Sequence, residues 1–422
     1  MSIVWNFYYD EAFHDRSITA KDNSEINIYK NGSSDIYVGF FCGYDETLEA
    51  AISKKYLELE HKYRELFTIP EGKELKGTTI KRQNYTHGFA SLKKLNINFY
   101  DDFFSLLDDP NIIFHISMFS KTELIVREFM RNLTFPSQLK PAEETIIYIL
   151  TKFLFNYRKQ SLLKKMMEAS TPSEAVQVLQ LLRDYLKKVV EQSGHAKKKQ
   201  AERNALFELH CILGYAQITN YIKPELSWRY EPIFIGFNKL LRERNISREN
   251  VSLVIDTEER TYIAAKAVGK YGNCKQGASE VCTGIRIADF LSHFFGTLAV
   301  SLVQELNEGE IKSDDDLNQR DYVSKKLLSK DWFIVTEPQF NLWNKIESII
   351  LNYHHYEWTG YDGVFCDTPA LVFALLEYIK LYKNYEEFQN ISPVDHCEYF
   401  NTYCCKKLEG LYHRAGTAPA IY

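Results

Sequence analysis

Apolar residues fall along this chain in two rhythms. Residues 3–9 (IVWNFYY) are a continuous aromatic and β-branched run that stops at Asp10-Glu11, the pattern of a buried strand with acids at its C-terminal end. Residues 26–29 form a second short run ahead of Asn31-Gly32, the preferred pair for a type I′ turn, and residues 36–41 a third. Three antiparallel strands are therefore expected at the start. Residues 47–66 place Leu48, Ala51, Leu59 and Tyr63 near helical spacing, and Pro70 and Gly72 end that helix. Glu74-Leu75-Lys76-Gly77 reads as extended. Residues 84–107 read as helical with a break near 95–98, and residues 111–119 (NIIFHISMF) as a fourth strand.

From residue 122 the rhythm becomes helical, clearest over 143–160, 173–190 and 201–222. The strand pattern returns at residues 251–256 (VSLVID), again ending on an aspartate. A Gly-containing loop over 269–277 and a helix over 285–302 follow. Asp314-Asp315-Asp316 sits in an expected linker, and the remainder reads as helical and aromatic-rich. The expected organisation is a core in two parts, 1–121 and 250–305, a helical insertion at 122–249 and a helical C-terminal region at 306–422.

Composition narrows this little. The 422 residues are 45% hydrophobic and 25% charged, ordinary for a globular protein. The net charge of -5 provides no global basic field, so binding to nucleic acid would depend on local basic patches. The start, Met1-Ser2-Ile3-Val4-Trp5, lacks the features of a signal peptide. The apolar stretch 288–303 is interrupted by Asp289, Ser292 and His293, so no membrane span is expected. Eight cysteines without a CxxC pair read as reduced thiols in a cytoplasmic protein, with no zinc framework.

The carboxylates carry the candidate chemistry. Asp10 and Asp256 each close an apolar strand, and ligands gather at the carboxyl ends of strands in α/β sheets. Asp289 lies on an otherwise apolar helix, where Ser292 and Gly296 permit close packing against a sheet. A carboxylate there must be paired or bound to a cation. Glu74 and Lys76 flank Leu75. Taken singly, each acid reads as a strand-end, cap or surface charge, and Asp289 has an ordinary helical partner in Arg286. Their order is less easily accidental: an acid-ended strand, an acid, an acid-ended strand, an acid-bearing helix. Mg2+ or Mn2+ prefers such hard oxygen ligands, and a two-metal phosphoryl-transfer site needs several of them from different elements.

In order and context these residues resemble the ribonuclease H-like family catalogued as domain of unknown function 3800. The matching motifs are Tyr9-Asp10-Glu11, Glu74-Leu75-Lys76, Val254-Ile255-Asp256 and Gly284-Ile285-Arg286-Ile287-Ala288-Asp289. Two departures stand out: Ala12 replaces the family's usual Ser, and Arg286 its usual Gln. The resemblance implies an α/β fold with a ribonuclease H-like mixed sheet. It also implies a metal-dependent nuclease acting on DNA or RNA, in a mobile-element or antiviral-defence setting. Asp10, Glu74, Asp256 and Asp289 would be the ligands for Mg2+ or Mn2+, and Lys76 would neutralise the scissile phosphate.

Weaker candidates surround this set. Glu11 and His14 follow Asp10 closely, and Lys197-Lys198-Lys199 is the most basic point of the insertion. Each is a candidate nucleic-acid contact and each reads equally as an ordinary strand, hairpin or solvated residue. Tyr8, Tyr9 and Phe13 could stack on a nucleotide, although the first two suit a core better. His354-His355 and His396 lack metal-ligand spacing. No Walker loop, GxGxxG or GxSxG occurs. The alternatives are a catalytically silent nucleic-acid-binding or assembly module, or an effector activated by a protein partner. The helical regions offer surface for such a partner or for self-association.

Overall fold

The fold is seen in a computed structural model, which describes residues 3–13, 17–20, 25–30, 34–352 and 356–415. It is an α/β protein built on a six-stranded mixed sheet. The strands are β1 (Trp5–Ala12), β2 (Ile36–Asp45), β3 (Ile113–Ser120), β4 (Val251–Ile255), β5 (Asn273–Gln276) and β6 (Gly360–Asp362), in the order β5-β4-β1-β2-β3-β6. β1, β2 and β3 pair antiparallel in sequence; β4 lies parallel to β1, β5 parallel to β4, and β6 parallel to β3.

β1 is apolar and buried from Phe7 to Tyr9 because both its faces are covered there. Phe7 and Tyr9 face one side, where their rings pack on Phe237 and Phe234 at 4.8 and 5.6 Å. Tyr8 faces the other. β2 carries glycines where those rings lie: a side chain at Gly39 would meet the Tyr9 hydroxyl at 2.7 Å, and one at Gly43 would enter the Phe7 ring.

Fifteen helices are described: α1 (Glu49–Leu66), α2 (Lys94–Leu106), α3 (Lys121–Met130), α4 (Glu143–Asn156), α5 (Gln160–Glu168), α6 (Pro172–Gln192), α7 (Gln200–Leu213), α8 (Glu231–Glu243), α9 (Glu259–Gly269), α10 (Thr283–Leu306), α11 (Asp314–Gln319), α12 (Glu337–Glu347), α13 (Asp367–Tyr378), α14 (Tyr385–Gln389) and α15 (Pro393–Ala415). The Tyr8 face packs on α10, with α1, α2, α12, α13 and α15 in the same core. α8 and α9 cover the opposite face. α3 to α7 build a separate core, which also takes up Ile18, Ile26, Ile28, Ile311, Leu317 and Tyr322.

Several expectations give way. Residues 27–29 are a 3-10 turn, not a strand. Ile26 and Ile28 are buried against the insertion rather than the sheet, and the Ile26 N–H donates to the Gln160 side chain at 2.9 Å. The Asn31-Gly32 turn lies outside the described residues. The stretch 84–107 is helical only in α2. Before it the chain makes two 3-10 turns around Gly88, whose φ of 55° is left-handed and whose absent side chain leaves room for the Trp332 ring. The helix expected over 201–222 stops at Leu213, after which Gln217 bridges Thr134. The loop at 269–277 contains β5. The insertion expected over 122–249 is divided, since α8 turns Ile233, Phe234 and Phe237 onto the sheet. The C-terminal region is largely helical, yet it supplies β6 and shares the α10 core.

α10 is long and apolar enough to cross a membrane, but 78% of its most apolar window is buried inside the fold, as befits a core helix. All eight cysteines are free thiols.

β6 ends at Asp362, next to Glu123 and Asp367. Glu123 is taken by Arg127 at 2.6 Å and by the N–H groups of Val364 and Phe365, and Asp367 by Lys152 at 2.8 Å. Burial, then the charges of Glu123 and Asp367, push the Asp362 carboxyl up to about 7. An unfolded aspartate releases its proton near pH 4. The folded chain thus holds a proton that the unfolded chain has lost, and stability falls as pH rises from about 4 to about 7. Asp362→Asn is expected to match the wild type near pH 4 and to exceed it by about 2 kcal/mol above pH 7. That is half the full linkage value, since the carboxyl keeps some contact with water. Urea unfolding across this range checks it; an unchanged pH slope would refute the assignment.

Candidate functional site

β1 and β4 run parallel with Tyr8 opposite Val254 and Tyr9 opposite Ile255. Tyr8 and Val254 both point into the α10 core, so Asp10 and Asp256, two positions on, point the same way from neighbouring strands. Asp10 is not the last residue of its strand, which continues to Ala12. Asp256 follows directly after β4, and the Thr257 N–H donates to its Oδ1 at 2.7 Å. Adjacent strands lie about 4.8 Å apart. Two unit charges at that spacing repel by roughly 3 kcal/mol in a medium of effective dielectric constant about 20.

α10 brings Asp289 over this pair. Its approach depends on small residues. The Gly284 backbone lies on the Tyr8 ring, and a side chain at Gly296 would meet Phe13 at 2.9 Å and Ala12 at 3.2 Å. The segment 74–77 closes the site from α1's side. Leu75 is fully buried and anchors it. The Gly77 N–H donates to Asp289 Oδ2 at 2.7 Å, and a side chain at Gly77 would strike His293 Cβ at 2.5 Å. On either side of Leu75, Glu74 and Lys76 pair at 3.3 Å, with Lys76 53% exposed and so open to solvent. Ser279 also donates to Glu74, at 3.1 Å.

The electrostatics follow from this crowding. Burial, then the charge of Asp289, with smaller contributions from Asp256 and Glu11, raise the Asp10 carboxyl well above its ordinary range; the Glu11 N–H at 2.7 Å acts against them. Burial also raises Asp289, with Asp256 and Glu74 adding to it and the Gly77 N–H and Lys76 opposing. For Lys76, burial works against the charge, but contact with Glu74 and the nearby Asp289 and Asp256 outweigh it and lift the ammonium above the ordinary lysine value. Four carboxylates against one ammonium is a net excess of anions in a largely buried place.

Arg286 does not relieve it. The partner expected for Arg286 was Asp289, but its Nη1 pairs with Glu60 of α1 at 2.6 Å and its Nε donates to the Ser279 carbonyl at 2.6 Å. Glu60 in turn accepts from the Leu75 N–H at 3.3 Å. This buried ion pair braces the 74–77 segment and the Ser279 loop from outside the site. Sequence patterns missed Glu60, Ser279 and Gly77; only the Glu-Leu-Lys-Gly run hinted at the last. They also missed Tyr56, a buried hydroxyl with no acceptor among the described residues, which senses the charges of Asp289 and Glu74. His293, one turn beyond Asp289, has its imidazole pushed below the ordinary histidine value by burial and meets the Ile80 carbonyl at 3.1 Å.

The remaining candidates lie elsewhere. Glu11 points to the opposite face of β1 and accepts from Tyr9 at 2.9 Å and Tyr37 at 2.7 Å. Tyr8 and Tyr9 are core residues. His14, His354 and His355 lie outside the described residues. Lys197, Lys198 and Lys199 form a 3-10 turn in the insertion, where Lys199 pairs with Glu202 at 2.9 Å and borders a different cavity. His396 is buried among Phe333, Tyr378 and Phe388, a packing role.

Hard oxygen donors from four elements, two of them half-buried carboxylates whose neighbours are mainly anions, suit a divalent cation in kind. Among the described residues, however, no three His, Cys, Asp or Glu side chains stand close enough to close on one ion. The carboxylates converge without forming a finished shell. No family model, curated protein or solved structure matches the chain.

Asp10→Asn tests the repulsion directly. Asparagine keeps the acceptor for the Glu11 N–H and removes the charge. In chelator at pH 7 the variant is expected to be more stable than the wild type, by about 1–3 kcal/mol. Thermal unfolding measures this, and a less stable variant would mean that the carboxylates do not repel as argued.

Proposed function

We propose that this chain is a divalent-metal-dependent nuclease built on a ribonuclease H-like core. One observation carries the reading: Asp10 on β1 and Asp256 just past β4 each follow the Tyr9–Ile255 pair of the parallel register and so lie side by side, on the face that Asp289 covers, in a site with too little positive charge to balance them. The six-stranded mixed sheet is compatible with an α/β core of the kind the four sequence motifs imply, and it carries one acid on a central strand and another just past that strand's parallel neighbour. In this reading Asp10 and Asp256 hold Mg2+ or Mn2+, and Glu74 and Asp289 complete the set. A bound ion supplies activation of water and stabilisation of the leaving oxygen. The Gly77 N–H fixes the orientation of Asp289, and the Glu60–Arg286 pair fixes the segment bearing Glu74. Lys76, solvent-facing at the rim, is placed to meet a phosphate oxygen of DNA or RNA.

The incomplete ligand shell favours a second reading, a nucleic-acid-binding or assembly module without catalysis, or an effector completed by a partner. Single- and double-stranded DNA and RNA, incubated with Mg2+, Mn2+ or chelator, separate the two. The nuclease reading expects metal-dependent cleavage that falls at least about a hundredfold in Asp10→Asn. Cleavage at the wild-type rate in that variant would overturn it, and binding that survives both chelation and Asp10→Asn without cleavage would support the module.

A further inference from the structure

Far along α10 from the carboxylates, the structure holds a second concentration of charge, of opposite sign. A pocket of about 280 Å³ opens between residues 28–30, Ser34 and Asp35, Arg82, the end of α4 and the C-terminal half of α10. Three cations line it: Lys30, Arg82 and Arg158. Arg82 Nη2 and Arg158 Nε are buried donors with no acceptor among the described residues. A buried donor left without an acceptor is costly, and a guanidinium more so than a neutral group. The Arg158 guanidinium lies over the Tyr29 ring at 4.5 Å, which holds it in place.

The neighbouring carboxylates do not satisfy these arginines. Asp35 accepts from Ser120 at 2.8 Å and from the N–H and hydroxyl of Thr122 at 2.8 and 2.6 Å. Glu310, beside Gly309 at the pocket edge, is held by the Gln160 side chain at 2.8 Å and its N–H at 3.3 Å. Both acids are fixed by neutral groups, and Arg82 Nη2 and Arg158 Nε are left without an acceptor among the described residues beside a pocket that both arginines line.

The pocket shares Phe155, Val303 and Asn307 with a larger cavity of about 580 Å³. There the charges are largely matched: Lys152 with Asp367 at 2.8 Å, Lys199 with Glu202 at 2.9 Å and Arg320 with Glu308 at 2.5 Å. What distinguishes this chamber is its apolar and aromatic lining, with Tyr157, Tyr322 and Phe365. Its size falls in the usual range for small-molecule sites, roughly 300–1,000 Å³. A cationic chamber joined to an aromatic one suits a ligand that carries a phosphate beside a planar ring.

We infer that the two joined cavities form a nucleotide site, with the phosphate held by Arg82, Arg158 and Lys30 and the base lodged past Phe155 in the larger chamber. The same chemistry is offered by a free mononucleotide and by one nucleotide unit of a strand. The site is separate from the carboxylates. Its α10 residues, Val300 to Leu306, lie 11 to 17 positions beyond Asp289, about 16–26 Å along the helix.

Calorimetric titration of the full chain in chelator tests this, using AMP, adenosine, inorganic phosphate and a 5′-phosphorylated oligonucleotide. The chelator makes the result independent of any metal at the carboxylates. Saturable binding of AMP is expected, weaker for adenosine or phosphate alone, with Arg82→Gln and Arg158→Gln each lowering affinity about tenfold. Lys30→Gln, an exposed change that leaves the core untouched, is expected to lower it less and provides the check should an arginine variant misfold. Binding of the oligonucleotide but not AMP, with the same dependence on these residues, assigns the phosphate to a strand; binding of AMP assigns it to a free nucleotide. The inference is overturned if none of the probes saturates, or if every substitution leaves the affinity unchanged.

Discussion

The close contact of α10 with β1 is the constraint on which the rest depends. Gly284, Ala288, Ser292 and Gly296 recur every four residues, which places them in one row along the helix. At its ends this row rests on Tyr8 and on Ala12 and Phe13, where a larger side chain would collide. Small residues let the helix axis come near the sheet, and the next residue round, Asp289, is carried over Asp10. Bulk in that row would lift α10 and separate the carboxylates. The apolar burial that orders the largest core therefore also forces like charges together.

That conflict is offset from outside. The Glu60–Arg286 pair is itself buried, and such a pair contributes little net stability, because desolvation cancels much of its attraction. Its effect is geometric. It ties α1, α10 and the Ser279 loop into one frame, from which the Glu60 carboxylate, accepting from the Leu75 N–H, and the Ser279 hydroxyl, donating to Glu74, hold segment 74–77 in place. Gly77 then offers Asp289 one N–H dipole, and Lys76 one partly solvated charge. These lower the cost of the anions without neutralising them, and the carboxyls of Asp10 and Asp289 stay raised. A fold selected for stability alone would replace such acids with apolar residues. Their retention in a braced cleft is the physical ground for reading the site as functional.

Much of this was legible in the sequence where one element determines the pattern. The run 3–9, the strand before Asp256 and the apolar stretch around 285–302 each betray their burial by composition alone, and the acids that interrupt or end them are conspicuous for that reason. What stayed hidden depends on partners distant in sequence. Ile26 and Ile28 alternate like a strand, but they pack on helices that begin more than ninety residues later. Arg286 lies three residues from Asp289, an ordinary helical spacing, yet a glutamate on α1 claims it. α8 belongs to the sheet because its stripe fits the Phe7, Tyr9 and Phe41 rings, which no local signal announces. Arg82 and Arg158 are 76 positions apart, and neither stands in a motif.

The two ends of α10 bear on how an acidic chain deals with phosphate. With a net charge of -5, no long-range field gathers polyanions, so attraction must be local. At physiological ionic strength charges are screened over about 8 Å. The α10 residues that line the arginine pocket begin roughly 16 Å along the helix from Asp289, where two unit charges interact by about 1 kcal/mol at an effective dielectric constant of about 20, against roughly 3 kcal/mol between neighbouring carboxylates. The two chemistries are only weakly coupled through charge, and one helix carries residues of both. The larger influence of an occupant at the far pocket on the carboxylates would therefore travel as a displacement of α10 against β1. The row of glycines and small residues, which leaves no slack between the helix and the sheet, is the part of the fold that would transmit it.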